Sequence, residues 1–432
     1  MNKMSTSQKR VLISAYACAP DRGAEPGVGW NLVAYLAGEY GYDLTVITRT
    51  KHQPRIEASQ DPRVKGVRWI YVDPPEWIAS RRRGALGVKA FYLLWQKKMH
   101  AAAVKHLEEN EVDLVHHLTF GSILPATSLV KLGLPLVVGP VGGAEMTPSE
   151  LVPDLAPRLW IRDRLRAALY RFGSGLASTR KTYENCKVAL GATAESVASL
   201  REMGAQDVRL VPQSGCGDDE VAAFAEAHPP SDAIPSGPIR LLSASRLVHW
   251  KGVDLTVDAV KRAVDKGCDI ELTILQEGPE RKSLQKLVEK RGLSEWVKFS
   301  GKLPTLEDVY EGMRGADAVV HPAVNEAFGQ SVLEALALGR QVICLDWAGP
   351  GMIVTEDCGI KVEPGNREKI IEGLSEAFLE LEERRGRWLE IQKAATERAL
   401  AFSWQSVAKE LDKAYRDSLA ELSLSDSCVR KV

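Results

Sequence analysis

Residues 325–334 read Asn325-Glu326-Ala327-Phe328-Gly329-Gln330-Ser331-Val332-Leu333-Glu334, and their setting decides the fold of the second half of the chain. Upstream lies a short apolar run, Ala316-Asp317-Ala318-Val319-Val320, with the character of a buried strand. Downstream, Ser331 to Leu338 has helical spacing and stops at Gly339, a residue suited to the left-handed turn that ends helices. A second strand, Gln341-Val342-Ile343-Cys344-Leu345, follows at once. Strand, helix and strand make a βαβ unit, in which a ligand sits beyond the carboxyl ends of the strands. There the free N–H groups and the dipole of a helix N-terminus favour an anion. Glu326 lies in the loop and Glu334 about one turn into the helix, so two carboxylates flank an anion-binding helix terminus. Taken alone, Glu334 is equally a first-turn acid favoured by the dipole, and Glu326 a loop residue.

Strand and helix signals alternate in two sets along the rest of the chain. The first set contains Arg10-Val11-Leu12-Ile13-Ser14-Ala15, Leu44-Thr45-Val46-Ile47-Thr48, Asp113-Leu114-Val115-His116-His117 and Pro135-Leu136-Val137-Val138-Gly139. It closes with Lys187-Val188-Ala189-Leu190 and Val208-Arg209-Leu210-Val211-Pro212. Such alternation builds a parallel, doubly wound sheet. Residues 214–238, with Pro229-Pro230 and Pro235-Ser236-Gly237-Pro238, read as a linker. The second set runs from Ile239-Arg240-Leu241-Leu242-Ser243 to about residue 400. The expected division is an N-terminal domain at 1–213, a linker at 214–238 and a C-terminal domain at 239–402. Both domains are α/β.

Several segments together resemble glycosyltransferase family 4, the retaining enzymes with the two-domain GT-B fold. Glu326 and Glu334 match its E-x7-E signature. Ser243-Ala244-Ser245-Arg246-Leu247-Val248-His249-Trp250-Lys251-Gly252 is similar to the segment where that family carries a phosphate-binding Arg and Lys. Ile274-Leu275-Gln276-Glu277-Gly278-Pro279-Glu280 and Val297-Lys298-Phe299-Ser300-Gly301 fall in the family's order, and Phe402-Ser403-Trp404 resembles its closing segment. The likeness is strongest over residues 240–415. Gln276 and Ala323 depart from the pattern, which often has Gly and Ser there.

The resemblance implies two Rossmann-like domains facing a central cleft, with the helix at 403–420 packing back on the N-terminal domain. It implies a hexosyltransferase that uses a UDP- or GDP-linked sugar as substrate and holds no cofactor. Arg246 and Lys251 would carry the diphosphate, Glu326 would orient or attack the sugar, and Glu334 would hold the ribose. Phe328, Gly329, Gln330 and Ser331 would line the donor pocket with Glu277, and the backbone of Gly301 and Lys302 would meet the base. The implied setting is polysaccharide or glycolipid synthesis, with a glycan, lipid-linked or small-molecule acceptor. Other GT-B enzymes, a sugar-nucleotide epimerase or a glycoside phosphorylase, remain alternatives, as does a non-catalytic nucleotide-binding subunit. The chain contains no Asp-x-Asp triplet. Two fixed cations beside a helix N-terminus could stabilise a leaving diphosphate without a metal.

In the first domain, Gly23-Ala24-Glu25-Pro26-Gly27-Val28-Gly29-Trp30 reads as a Gly-rich turn before a helix Asn31 to Glu39. The turn is not G-x-G-x-x-G, so a dehydrogenase reading loses its support. The family resemblance implies that Gly27 and Gly29 lie at the cleft, and Gly142 and Gly143 in Gly139-Pro140-Val141-Gly142-Gly143 are assigned to its acceptor side. All four also fit as turn residues. Alternation along a strand places His116 and His117 on opposite faces, and His117 is the residue assigned to the site. A structural role fits either histidine equally well.

Composition excludes other classes. A net charge of −1 offers no basic footprint for nucleic acid. The seven cysteines are scattered, without a C-x-x-C pair, and suggest reduced thiols in a cytoplasmic protein. No apolar run reaches membrane-spanning length, and Met1 to Arg10 lacks a signal-peptide core. Two basic and aromatic stretches could touch the inner face of a membrane. One is Arg81-Arg82-Arg83 with Lys89, Lys97 and Lys98 around Phe91 to Trp95, the other Arg158 to Phe172. Each also fits a core-packed helix with a solvated face.

Overall fold

The computed structural model describes the chain except residues 1–7, 21–23, 76, 78–83, 228, 232 and 430–432, so Gly23 and Arg81 to Arg83 lie outside the described residues. The first sheet contains β1 (Arg10–Ala15), β2 (Asp43–Thr48), β3 (Arg68–Tyr71), β4 (Leu114–Thr119), β5 (Leu136–Val141), β6 (Val188–Gly191) and β7 (Val208–Leu210). Its order is β3-β2-β1-β4-β5-β6-β7, with every pairing parallel. The second contains β8 (Ile239–Ser243), β9 (Ile270–Leu275), β10 (Val297–Gly301), β11 (Ala318–His321), β12 (Gln341–Leu345) and β13 (Gly359–Val362). Its order is β10-β9-β8-β11-β12-β13, again all parallel.

Period-two alternation divides each strand between two cores. In β1, Val11, Ile13 and Ala15 enter one cluster and Leu12 the other. In β12, Ile343 and Leu345 face one cluster while Val342 and Cys344 face the other. Helices cover both faces, so strands buried on both sides read as continuous apolar runs. Each fully buried aliphatic side chain contributes about 1.5–3 kcal/mol.

By contacts the chain divides into residues 1–144, 168–214 and 404–432, and residues 145–167 and 215–403. Glu145–Ala167, which the sequence reading leaves in the N-terminal domain, is counted with the second unit. The stretch read as linker is partly folded: Asp218–Ala227 is a helix, and its Val221 is buried in a core with Leu333 and Phe402. Prolines and small residues at 229–238 masked that short amphipathic helix. The helix Trp404–Val429 presents Val407, Ala408, Leu411 and Tyr415 to a core of the first unit.

The reading of a Gly-rich turn before Asn31 is corrected. The helix already runs from Ala24 to Gly38, so Gly27 and Gly29 are helical. A Cβ on Gly29 would lie 2.2 Å from the Ala17 carbonyl oxygen, so this glycine lets the helix pack directly on the backbone after β1. Close approach, rather than a turn, explains it.

Candidate functional site

The second sheet changes winding direction between β8 and β11. The chain moves outward through β9 and β10, then returns to the other side of β8. Loops leaving two such strands diverge and open a crevice at their carboxyl ends. Glycines hold these loops together. Gly252, at φ +68°, ends the turn His249–Lys251, and a Cβ there would sit 2.3 Å from the Pro322 carbonyl oxygen. Val324 N–H donates to the Trp250 carbonyl at 2.9 Å. Gly278 lies so close to Leu247 that a Cβ would be 2.2 Å from its carbonyl oxygen, while Leu247 N–H donates to the Glu277 carbonyl at 3.2 Å. The loops after β8, β9 and β11 therefore form one tied assembly.

Lys251, from the β8 loop, makes an ion pair with Glu326, from the β11 loop. Burial pushes the Glu326 carboxyl up, but the neighbouring His321 imidazole and the Lys251 ammonium outweigh it and hold the pKa at about 2. His321 ends β11, is 1% exposed, and stands 3.8 Å from Glu326 through Nε2. Its Nδ1 lies 3.0 Å from the Ser245 hydroxyl and 3.3 Å from the Ser331 hydroxyl. Either hydroxyl can donate to Nδ1 or accept from it, and the Nε2 edge of the ring faces the carboxylate. Burial and then the Lys251 charge keep His321 below its ordinary pKa, hence neutral.

Gly329 begins the helix Gln330–Ala337 at φ +95°, a conformation other residues adopt only with strain. The first helical N–H groups, at Gln330 and Ser331, follow directly on the loop that carries Glu326, and the Ser331 hydroxyl meets the same His321 ring. The helix begins one residue before the expected Ser331 and stops at Gly339, φ +69°. One turn in, burial raises Glu334 to about 7; Gln330's side chain opposes that shift and the Glu220 charge adds to it. Arg246 is exposed on the β8 loop, and among the described residues its guanidinium has no ion-pair partner.

Arg246, Lys251, Glu326 and Glu334 therefore sit on elements that leave adjacent strands at one edge of the sheet. Other assigned residues fare differently. The Phe328 ring is 6% exposed and packs on Phe402 at 6.2 Å, so its side chain belongs to the core and only its backbone faces the loops. Glu277 is engaged by Arg281 at 2.5 Å. Gly301 spends its carbonyl on the Gln276 N–H at 2.8 Å, and Lys302 is exposed beside it. Sequence reading missed His321 and Ser245. The available signal for His321 was a lone polar residue ending an apolar strand.

In the first unit, the winding reverses between β1 and β4. His116 is structural: Nδ1 meets the Tyr415 hydroxyl and Nε2 the Gly139 carbonyl, each at 2.6 Å. His117 points to the other face, toward Tyr92, and burial lowers it to about 4. Its Nε2 meets the Phe120 carbonyl at 3.3 Å, and its Nδ1 has no hydrogen-bond partner among the described residues. Glu25, overlooked between the glycines, accepts from the Gly121 N–H at 2.5 Å, and burial raises its pKa. Gly142 does not offer free backbone: its N–H donates to the Gly121 carbonyl at 3.0 Å and its carbonyl accepts from Ile123 at 2.9 Å. Gly143 adopts φ +110°, a conformation that favours glycine.

Residues 224–395 match the family model of glycosyl transferases group 1. The chain is 26% identical over 200 residues to a subunit of human phosphatidylinositol N-acetylglucosaminyltransferase, covering 45% of this chain and 40% of that protein. It is 30% identical over 173 residues to a GDP-mannose-dependent alpha-(1-6)-phosphatidylinositol dimannoside mannosyltransferase of Mycobacterium tuberculosis, covering 40% and 42%. The chain thus spans about two fifths of the length of these curated relatives. The crystal structure of Anabaena HepE in complex with UDP is similar at TM-score 0.55 and 15% identity, covering 95% of this chain and 100% of that one. That likeness shows the fold, GT-B, with two Rossmann-like parallel sheets.

Proposed function

We propose that this protein is a retaining glycosyltransferase that moves a hexose from a UDP- or GDP-linked donor to a hydroxyl of a glycan or lipid-linked acceptor without a bound divalent metal. The observation that carries this reading is the Lys251 and Glu326 ion pair beside the N-terminus of the helix Gln330–Ala337.

As the bond from sugar to diphosphate breaks, negative charge grows on the departing phosphate oxygens. Lys251, the exposed Arg246 and the first N–H groups of the helix stabilise that charge, each gaining more in the transition state than in the ground state. Glu326, held ionised at about 2, is too weak a base to take a proton at neutral pH. It accepts hydrogen bonds from sugar hydroxyls and offsets positive charge at the anomeric carbon, while the proton of the attacking acceptor hydroxyl passes to an oxygen of the departing diphosphate. His321 positions Glu326 from below. Glu334, near neutrality at about 7, accepts from ribose hydroxyls when ionised. The two relatives whose names specify phosphatidylinositol substrates favour a lipid-linked acceptor.

The test begins with thermal unfolding in UDP, GDP or ADP. A nucleotide at a hundred times its dissociation constant adds about 2.7 kcal/mol to the stability of the domain that binds it. One nucleoside diphosphate should protect the wild type and protect Lys251→Ala much less. Product from the matching sugar nucleotide should keep the donor's anomeric configuration by NMR. Equal indifference to all three nucleotides would sink the proposal, and an inverted product would remove its retaining part.

A further inference from the structure

The helix Pro157–Gly175 has no buried residue. Ile161, Leu165, Leu169 and Phe172 are 59%, 57%, 54% and 70% exposed. At 3.6 residues per turn these four positions fall within about 80° of arc, a single solvent-facing stripe three turns long. The opposite face is polar and anchored. Asp163 accepts from the Thr147 hydroxyl at 2.7 Å, and the Tyr170 and Ser199 hydroxyls meet at 2.6 Å. This orientation is the reverse of an ordinary surface helix, which turns its apolar stripe inward. The contact division counts Pro157–Ala167 with one unit and Ala168–Gly175 with the other, so the stripe is a property of the helix itself.

Charge says what the stripe fits. The helix holds five arginines against one aspartate, and that aspartate is on the anchored face. Arg162 flanks the stripe on one side and Arg164 and Arg171 on the other, all exposed, with Arg158 at its first turn. Trp160, 42% exposed, stands under the Arg164 guanidinium at 5.6 Å. A second copy docking stripe to stripe would set arginine against arginine. An anionic bilayer surface instead accepts the apolar residues at its acyl boundary while guanidinium groups reach lipid phosphates. The other basic, aromatic stretch differs: in the helix Gly84–Glu109, Phe91, Tyr92 and Trp95 are buried in the core, and among its described large apolar residues Leu93, Leu94 and Val104 are exposed. Among the described residues no helix is long and apolar enough to cross a membrane.

We propose that the outward face of the helix Pro157–Gly175 docks the protein on an anionic lipid surface. The test is co-sedimentation of the full chain with vesicles of phosphatidylcholine alone or mixed with phosphatidylglycerol. The wild type should bind the mixed vesicles, bind phosphatidylcholine poorly, and be released by high salt. Leu169→Glu with Phe172→Glu, both exposed, should lower partitioning on the order of tenfold or more with an unchanged melting midpoint. Arg162→Glu with Arg171→Glu should do the same, while Leu93→Glu on the other helix should bind like wild type. Failure of the wild type to bind mixed vesicles overturns the proposal, as does full binding by the Leu169 and Phe172 variant. A wild-type dimer that this variant splits into monomers overturns it in favour of a second copy.

Discussion

Glu326 and Glu334 are chemically alike, eight positions apart, and opposite in charge behaviour. Glu326 has a cation and an imidazole to repay its burial; Glu334 has an amide and a second carboxylate, so desolvation wins. Because the folded pKa of Glu334, about 7, lies above the unfolded 4.5, its stabilising effect is complete below 4.5 and lost as pH rises through 7. The difference is worth about 3 kcal/mol. Denaturant unfolding of the second domain at pH 5 and pH 8 should show wild type losing stability on that order, and Glu334→Gln should flatten the change. An equally steep loss in the variant would assign the pH dependence elsewhere. Lys251→Ala and Arg246→Ala should each lower turnover on the order of a hundredfold. Arg246→Ala should leave the melting midpoint unchanged because the side chain is exposed, whereas Lys251→Ala should lower it by leaving Glu326 without its ion partner. Wild-type turnover in either variant would contradict the phosphate assignment.

At the scale of elements, glycines set the distances between loops. Gly329→Ala places a Cβ at φ +95°, 3.3 Å from the Pro350 ring, which costs roughly 1–2 kcal/mol and tilts the first turn of the helix Gln330–Ala337. Its donor KM should rise while the far end of the sheet keeps its hydrogen-exchange protection. Gly29→Ala meets the Ala17 carbonyl oxygen at 2.2 Å and should destabilise the first unit without touching the loops after β8 and β11. Nucleotide protection measured on both variants separates the two roles: loss in Gly29→Ala but not in Gly329→Ala would reverse the assignment.

For the molecule as a whole, the fixed cations predict that turnover survives exhaustive chelation. Activity lost in chelator and restored by magnesium or manganese would contradict the built-in charge of Arg246 and Lys251. The helix Trp404–Val429 returns from the end of the chain to the first unit, where the Tyr415 hydroxyl meets buried His116. Tyr415→Phe should cost about 1–3 kcal/mol by leaving that ring nitrogen unpaired, read as a lower melting midpoint of the first unit. No change would mean that His116 finds another partner there.

The sequence by itself determined the two parallel sheets, because doubly buried strands must be continuous apolar runs, and runs such as Leu12-Ile13 and Val342-Ile343 announce themselves. It also determined the E-x7-E spacing, since a loop residue and a residue one turn into the helix of one βαβ unit are near in space because they are near in sequence. Gly27 and Gly29 were misread because glycine serves a turn and a close helix contact equally well, and only the Ala17 carbonyl distinguishes them. Ser245 behind His321 was invisible, since that contact joins residues 76 positions apart, and His321, though five residues before Glu326, read only as a polar residue ending an apolar strand. The outward stripe of Pro157–Gly175 has the periodicity of any amphipathic helix. Periodicity states that one face is apolar; only the packing of the surrounding chain decided that this face meets solvent.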